Sequence, residues 1–519
     1  MRPRQRREQT CVSIVPFGLA CQPSRPKSHN VYSIWIGAND DEVLFLIGPY
    51  SVFSSNREYP TRNRPNGRST MRLILGLRAA RISAIKCPFI GLYGINWPAI
   101  VLSLFELRVL QVMRVGVLGG GLQGCCVALS LAQHGIHVTL FDRNDRLLSR
   151  AAVANEGKIH LGYMYANDPS YSTARMMMRG ALSFAPFFAR HLGLPYDSMT
   201  VSRPAVYVVH RDSQRTPEQV SQYLATVHAL IRDASEGRRE AYFGRDLSDQ
   251  PRTWTAGQRE AIFDPEFAVA AFATPELAID PVTLAEALRE RIGADRRIDV
   301  RLDHEVLSVE DSDGLDVSTD TSGGAVRERF DHVVNALWDG RLAINEKRAL
   351  RPNRPWLHRL KYGVSFRLPA GAKLATSATF VSGPFGEVVS YADGLTYLTW
   401  YPVCLQGTSR DVTPPEWSTY PPEPLRSHLL EGTLQALAQL VPSLRALNPQ
   451  ELKDVTVKGG VIVAWGQTDI YDPASELHRR FEIGVTSTGR FHSVDPGKLT
   501  MAPYFADICA GRILKDNSH

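Results

Sequence analysis

Between a short apolar run, Arg114–Leu118, and an alanine- and leucine-rich stretch, Leu122–His134, lies the hexad Gly119-Gly120-Gly121-Leu122-Gln123-Gly124. A G-x-G-x-x-G hexad is weak alone, but after a strand and at the start of a helix it commits the chain to a βαβ unit that binds a dinucleotide. Gly119 permits the tight turn, Gly121 lets a pyrophosphate approach the backbone, and Gly124 lets helix and strand pack closely. Leu122 and Gln123 open the helix, whose N-terminus adds partial positive charge. A second apolar run, Val138–Phe141, ends at Asp142, 23 residues after Gly119. A carboxylate about 20 residues on is placed to hold ribose hydroxyls. Arg143 would meet a 2′-phosphate in an NADP site, and it equally suits the position after the acidic residue of an FAD site. The sequence holds no second such hexad and no C-x₄-C, which excludes a two-nucleotide disulfide reductase.

With 519 residues the chain is long enough for two or three domains. Hydrophobic residues at 44% and charged residues at 22% exclude collagen-like, disordered and repeat-protein classes. Charge is uneven: 15 of the 59 Lys and Arg but only 6 of the 53 Asp and Glu lie in 1–112, so 113–519 is mildly acidic. That balance gives no nucleic-acid footprint. Cys11, Cys21, Cys87, Cys125, Cys126, Cys404 and Cys509 form no C-x-x-C and no metal spacing, which suits a reducing, cytoplasmic compartment.

Residues 1–112 open on MRPRQRRE and keep no sustained helix or strand period, so they are expected to be a basic extension, or a misplaced start, without a fold of its own. Asp40-Asp41-Glu42 speaks against a mitochondrial-type presequence. The 18 uncharged residues 88–105 reach the lower limit for a membrane span, but Gly91, Gly94, Asn96 and Pro98 weaken a helix there. The cations before that stretch would also send the nucleotide site across the membrane. Further on, 173–192 reads as a helix interrupted at Pro186, 283–292 as a helix, and 388–402 as a hairpin about Asp393-Gly394.

Ala154-Asn155-Glu156-Gly157-Lys158-Ile159-His160-Leu161-Gly162 resembles the N-x-G-x-I-H-x-G stretch of FAD-dependent oxidoreductases of the D-amino acid oxidase superfamily. It is most similar to the branch containing L-2-hydroxyglutarate dehydrogenases. Phe330-Asp331-His332-Val333-Val334-Asn335-Ala336 resembles that family's strand and small-residue turn beside the FAD. Asp495-Pro496-Gly497-Lys498-Leu499-Thr500-Met501-Ala502-Pro503 resembles its flavin-capping helix start. The resemblance spans 113–519 and implies an α/β fold, a Rossmann-type FAD-binding domain interwoven with an antiparallel-sheet (α+β) substrate domain. The FAD domain would come from 113–195, 275–350 and 475–519, and the substrate domain from 196–274 and 351–474. FAD is the implied cofactor. Gly119, Gly121 and Gly124 would face its pyrophosphate and Asp142 its ribose. Asn155, Gly157, Lys158 and Ile159 would pass near the isoalloxazine, and Val306 would offer backbone to the adenine. Ala336 would lie beside the flavin, and Gly497, Lys498, Leu499 and Thr500 would present their turn to its O2 edge.

His160 is the catalytic candidate, because an imidazole near neutrality can accept a proton from a substrate amine or hydroxyl while hydride passes to flavin N5. His492 is a second histidine to weigh, with a structural role expected. The superfamily often holds a substrate carboxylate with Arg and Tyr on a sheet over the flavin, which would fall to Arg367, Tyr391, Tyr397 and Tyr401. Tyr397 and Tyr401 are expected to share one strand face, with Trp400 on the other. The implied activity is oxidation of a small molecule at a CH–NH or CH–OH carbon, with oxygen or a quinone as electron acceptor and with no metal. Two other readings remain at this level: a flavin-dependent isomerase or mutase, and a non-catalytic nucleotide-binding protein tethered to a membrane through 88–105. A covalent flavin link would fall to His160 or Cys404.

Overall fold

A computed structural model describes residues 31–39, 42–50, 73–75 and 113–516. The chain divides into two units, 1–109 and 110–519. In the first, Val31–Asn39 pairs antiparallel with Glu42–Tyr50, which pairs with Leu73–Leu75. These three strands are the regular structure described within 1–112. Both long strands are rich in β-branched and aromatic residues on either side of Asn39-Asp40-Asp41, a combination that favours a hairpin whatever the average composition around it. The stretch 88–105 lies outside the described residues. Among those described, no helix is long and apolar enough to cross a membrane.

The second unit is built on two sheets. Six strands run in the order Ile298–Arg301, His137–Phe141, Arg114–Leu118, His332–Asn335, Phe491–Asp495, Gly484–Thr488. The first five are mutually parallel, and the last is antiparallel to its neighbour. The three central strands bury nearly every residue, as a sheet covered on both faces requires. Helix Leu122–Ala132 is buried along its whole length and packs against the C-terminal helix Ala502–Asp516. Ser130 Oγ donates to Asp507 at 2.7 Å across that contact. The glycine hexad thus leaves the C-terminal end of Arg114–Leu118, between strands that follow it on one side and come much later on the other. In open α/β sheets that is where ligands bind.

The second sheet has nine strands, drawn from 205–273 and 356–465, all antiparallel to their neighbours except the parallel pair Ala205–His210 and Ser377–Val381. Its longest strands, Trp356–Arg367 and Lys453–Trp465, pair along nearly their full length. The link to the first layer is a two-strand patch, Lys158–Ile159 against Leu277–Ala278. The hairpin expected at 388–402 forms from Gly386–Ser390 and Leu395–Trp400, with Gly394 at φ 85° in its turn.

Two sequence expectations need correction. Helix Ser172–Leu192 runs unbroken through Pro186, because Phe184, Ala185, Phe187 and Phe188 around it are all buried in the core. A mid-helix proline costs about 3 kcal/mol, and burying several large side chains at roughly 2 kcal/mol each outweighs it. Tyr401 does not continue the strand of Tyr397. It opens a short helix, Tyr401–Cys404, with Pro402 in its first turn, so strand alternation does not relate the two rings.

Candidate functional site

A cavity of about 440 Å³ opens beyond the C-terminal ends of the parallel strands. Its walls begin at the glycine turn. Gly119 has φ 99°, and a Cβ there would lie 2.7 Å from the Ala336 carbonyl oxygen. At Gly124 a side chain would collide with the Gly119 carbonyl, so this glycine sets how closely helix and strand approach. Gly121 has nothing within 4 Å on its Cβ side and caps helix Leu122–Ala132 without any side-chain acceptor. The first amides of that helix are therefore left for an anion. Gln123 donates from Nε2 to Ala502 O at 3.1 Å, while its buried Oε1 has no partner among the described residues.

Asp142 Oδ2 accepts from Gly120 N at 2.8 Å, and Oδ1 accepts from Asn144 N at 2.8 Å and Asn144 Nδ2 at 2.6 Å. The carboxylate thus holds the turn in shape while lining the cavity. Arg143, on the rim, faces Glu305 at 3.9 Å and Asp339 at 3.8 Å, so its charge is already met by two carboxylates. Val306, Leu122 and Ala336 also line the cavity. Uncapped amides, open space over Gly121 and an orphan amide oxygen at Gln123 together fit an elongated dinucleotide.

The segment after the second strand is clasped from several sides. Asn155 Nδ2 donates to Ala151 O and Ala152 O at 2.9 and 3.0 Å, and its Oδ1 accepts from Gly157 N at 2.8 Å. Lys158 binds Thr379 and Glu387 in a buried pair. Thr500 Oγ1 accepts from His160 N at 3.0 Å and donates to Lys158 O at 3.2 Å, joining this segment to the turn Gly497–Thr500. Asn155, Lys158, Gly497, Lys498 and Leu499 line the cavity; Gly124, Gly157, Ile159 and Thr500 stand behind its wall. Gly497, at φ 60°, leads into the one-turn helix Leu499–Met501, whose first amides have no partner within the helix.

His160 lines the same cavity and is 1% exposed. Its Nδ1 faces Glu276 Oε1 at 3.3 Å, and its Nε2 has no partner among the described residues. Glu276 is fully buried; its Oε2 accepts from Leu161 N at 2.8 Å and its Oε1 from the Tyr207 hydroxyl at 2.5 Å. Burial acts to raise this carboxyl, yet the hydrogen bonds from His160 and Tyr207, with the nearby charges, hold it below the ordinary range. Burial also depresses His160, against the upward pull of Glu276. The result is a neutral ring beside a carboxylate.

A smaller cavity of about 60 Å³ shares Glu156, Lys361 and Lys498 with the large one. Its other polar walls include Arg359, Arg480, Tyr401, Tyr165 and His478. Four cationic side chains line it against two carboxylates, Glu156 and Glu387, the second already bound to Lys158. Lys361 lies 3.5 Å from Glu156, and Arg359 2.7 Å from Asp469. Burial would raise the Glu156 carboxyl, but Lys361 and Lys498 outweigh it and hold it well below its usual range. Lys498 makes no ion pair among the described residues, and burial depresses its ammonium. Arg480 donates to the carbonyls of Leu477 and Gly497 at 2.9 and 2.8 Å rather than to a carboxylate. Tyr401, under Lys361 at 5.2 Å and Arg359 at 5.1 Å, has a phenol that burial would raise and these cations pull below its usual value.

Of the expected substrate residues, only Tyr401 reaches this pocket. Arg367 is at the surface, paired with Asp393 at 2.8 Å and Asp454 at 3.6 Å. It lies eight residues beyond Arg359 on one strand, about 26 Å at strand rise. Tyr391 donates to Ile279 O at 2.6 Å, and Tyr397 packs over Gly363; neither lines either of these two cavities. Trp400 packs among His210, Phe380 and Phe385. Cys404 is bound to Thr433 away from both cavities, and His492 pairs with His332 at the sheet's opposite end. Sequence reasoning missed Glu276, Arg359, Lys361 and Arg480. A signal existed for three of them: Glu276 interrupts the apolar run FATPELAI, and Arg359 and Lys361 alternate within WLHRLKYGV.

Residues 114–510 match the family described as FAD dependent oxidoreductase (DAO). Glycine oxidase from Geobacillus kaustophilus superposes with a TM-score of 0.55 at 16% identity, covering 78% of this chain and 95% of that one. L-alpha-glycerophosphate oxidase from Mycoplasma pneumoniae, solved with FAD bound, gives 0.53 at 17% identity, covering 78% and 94%. The FAD-dependent monooxygenase FPY4 of Fusarium mangiferae is 36% identical over 75 residues, which is 14% of this chain and only 20% of that protein. The family match covers the glycine turn, the His160 segment and both sheets, and the chain belongs to the FAD-dependent oxidoreductase (DAO) family, with FAD as its cofactor.

Proposed function

We propose that the chain oxidises a small anionic substrate at a carbon bearing an amine or a hydroxyl group, with His160 as the proton acceptor. The observation that carries this reading is the His160 ring: Nδ1 against Glu276, Nε2 unpartnered among the described residues, on the wall of the dinucleotide cavity. FAD, when bound, supplies the two-electron acceptor, to which the substrate carbon gives up hydride. The chain's residues do the rest. The anion of the substrate sits among Arg480, Lys498 and Tyr401, where desolvated cations hold it. The proton leaving the substrate heteroatom passes to His160 Nε2, and Glu276 stabilises the imidazolium that forms. Glu156 offsets the ammonium of Lys361 and Asp469 the guanidinium of Arg359, which leaves Arg480 and Lys498 to face the anion.

An amine is the favoured group. Solved structures of similar fold include proteins named glycine oxidase and iminodiacetate oxidase, and His160 takes the proton as the nitrogen loses basicity on hydride transfer. Either oxygen or a quinone takes the electrons onward. Cys125, Cys126, Cys404 and Cys509 are buried free thiols, which fits a reducing, cytoplasmic compartment. The test is anaerobic titration of the flavin-loaded full chain with a panel of amino and hydroxy acids and their neutral amides. Bleaching of the visible flavin bands by acids but not by their amides is expected. A flavin that dithionite reduces but that no panel member bleaches would overturn the proposal.

A further inference from the structure

The parallel sheet has a second cluster at the end opposite the flavin cavity. His332 begins strand His332–Asn335 and His492 lies on the adjacent strand Phe491–Asp495; both are buried, at 6% and 0% exposure. Their rings are near-parallel, with centroids 5.4 Å apart and planes 25° apart, and His332 Nδ1 faces His492 Nε2 at 3.1 Å. Asp516, the last residue of helix Ala502–Asp516, brings a carboxylate oxygen into the same space. The three ligand atoms all lie within 4.8 Å of one another. His492 Nδ1 faces Ser487 Oγ at 2.9 Å, and that hydroxyl also accepts from Arg512 Nη1 at 3.1 Å.

We infer that His332, His492 and Asp516 form a site for a divalent transition metal of the zinc class. Two nitrogens at 3.1 Å match the edge of a tetrahedron with metal–nitrogen bonds of about 2.0 Å, which is about 3.3 Å. Without a cation, His332 Nδ1–H donates to His492 Nε2. A cation instead takes a lone pair from each. Ser487 acts as the outer partner: by accepting from His492 Nδ1–H it leaves Nε2 as the coordinating nitrogen. Two imidazoles with one carboxylate favour zinc over magnesium or calcium, which take oxygen ligands. Water completes the fourth position.

The site's location assigns its role. Helix Ala502–Asp516 has 15 residues, about 22 Å, with Ala502 on the flavin cavity and Asp516 on the histidine pair. The metal therefore pins the far end of that helix to the sheet and takes no part in the chemistry of the flavin.

The test uses the full chain with its flavin bound, stripped with a chelator and titrated with Zn²⁺ against a chromophoric competitor. One equivalent of zinc is expected to bind and to raise Tm without changing the flavin spectrum. Asp516→Asn should weaken binding by about tenfold or more and remove the Tm increase, and His332→Gln should abolish binding. Asp516 is exposed, so its variant keeps the fold and decides the matter even where His332→Gln fails to fold. No bound equivalent in the wild type, or Asp516→Asn binding zinc as the wild type does, would overturn the assignment.

Discussion

Burial and Glu276 pull the His160 imidazole in opposite directions: desolvation lowers it below its ordinary value of 6.5, and the hydrogen bond and charge of Glu276 raise it. Glu276→Gln removes the raising influence, so the acid limb of kcat/KM should move to lower pH. The same change removes the carboxylate proposed to stabilise the imidazolium, and kcat should drop by about 10²-fold, the scale of a general-base contribution. A variant with the lower rate but an unmoved limb would assign Glu276 a packing role only. The place of His160 on the cavity wall was legible because it stands within a local motif. Glu276 was not, because its partner is 116 residues away and only the fold brings them together. Lys361 and Arg359 likewise face Glu156 and Asp469 across distances no local pattern encodes.

The glycine turn and the helix after it make one mechanical element, and Gly124 is its tightest point. Gly124→Val would drive a branched side chain into the Gly119 carbonyl and separate helix from strand. The purified variant should lose its flavin even where circular dichroism still reports a folded chain; full flavin occupancy would count against the account of the turn. Helix Ser172–Leu192 gives the opposite kind of prediction. Pro186→Ala restores a backbone bond to Leu182 worth part of the roughly 3 kcal/mol proline penalty. Greater freedom of the unfolded chain returns about 1 kcal/mol of that. A net gain of about 2 kcal/mol is expected in chemical denaturation, and a loss would show that the ring itself fills the core. Elements with a strong local period, such as the strand-turn-helix at 114–132 and the hairpin at 386–400, were legible from sequence. Pro186 and Tyr401 were misread because tertiary burial overrode one local rule and a proline after Tyr401 ended a strand early.

At the scale of the whole molecule, burial depresses His160, His191, His210, His228, His332, His358, His478 and His492. His478 falls to about 3, and His191 and His492 to about 4. The unfolded chain binds protons at these sites from about pH 6.5 downward and the folded chain only at lower pH, so stability is full above about 6.5 and lost as pH falls. Thermal melts should show a Tm that declines steadily from pH 7 to pH 5, as unfolding free energy on the order of a few kcal/mol is lost. A constant Tm over that range would mean the histidines gain partners on acidification. The two-sheet architecture was legible because the glycine hexad, the His160 segment and the C-terminal turn fall in order along the chain. The charge of the small pocket was not, because Arg359, Lys361, Arg480 and Lys498 come from separate segments. The decisive measurement is the anaerobic rate of flavin reduction at pH 7.5 by the best acid of the panel, in the wild type and in His160→Asn. Neutral His160 taking the substrate proton predicts a rate about 10² to 10⁴ lower in the variant, with dithionite reduction unchanged; equal substrate rates in the two proteins would contradict it.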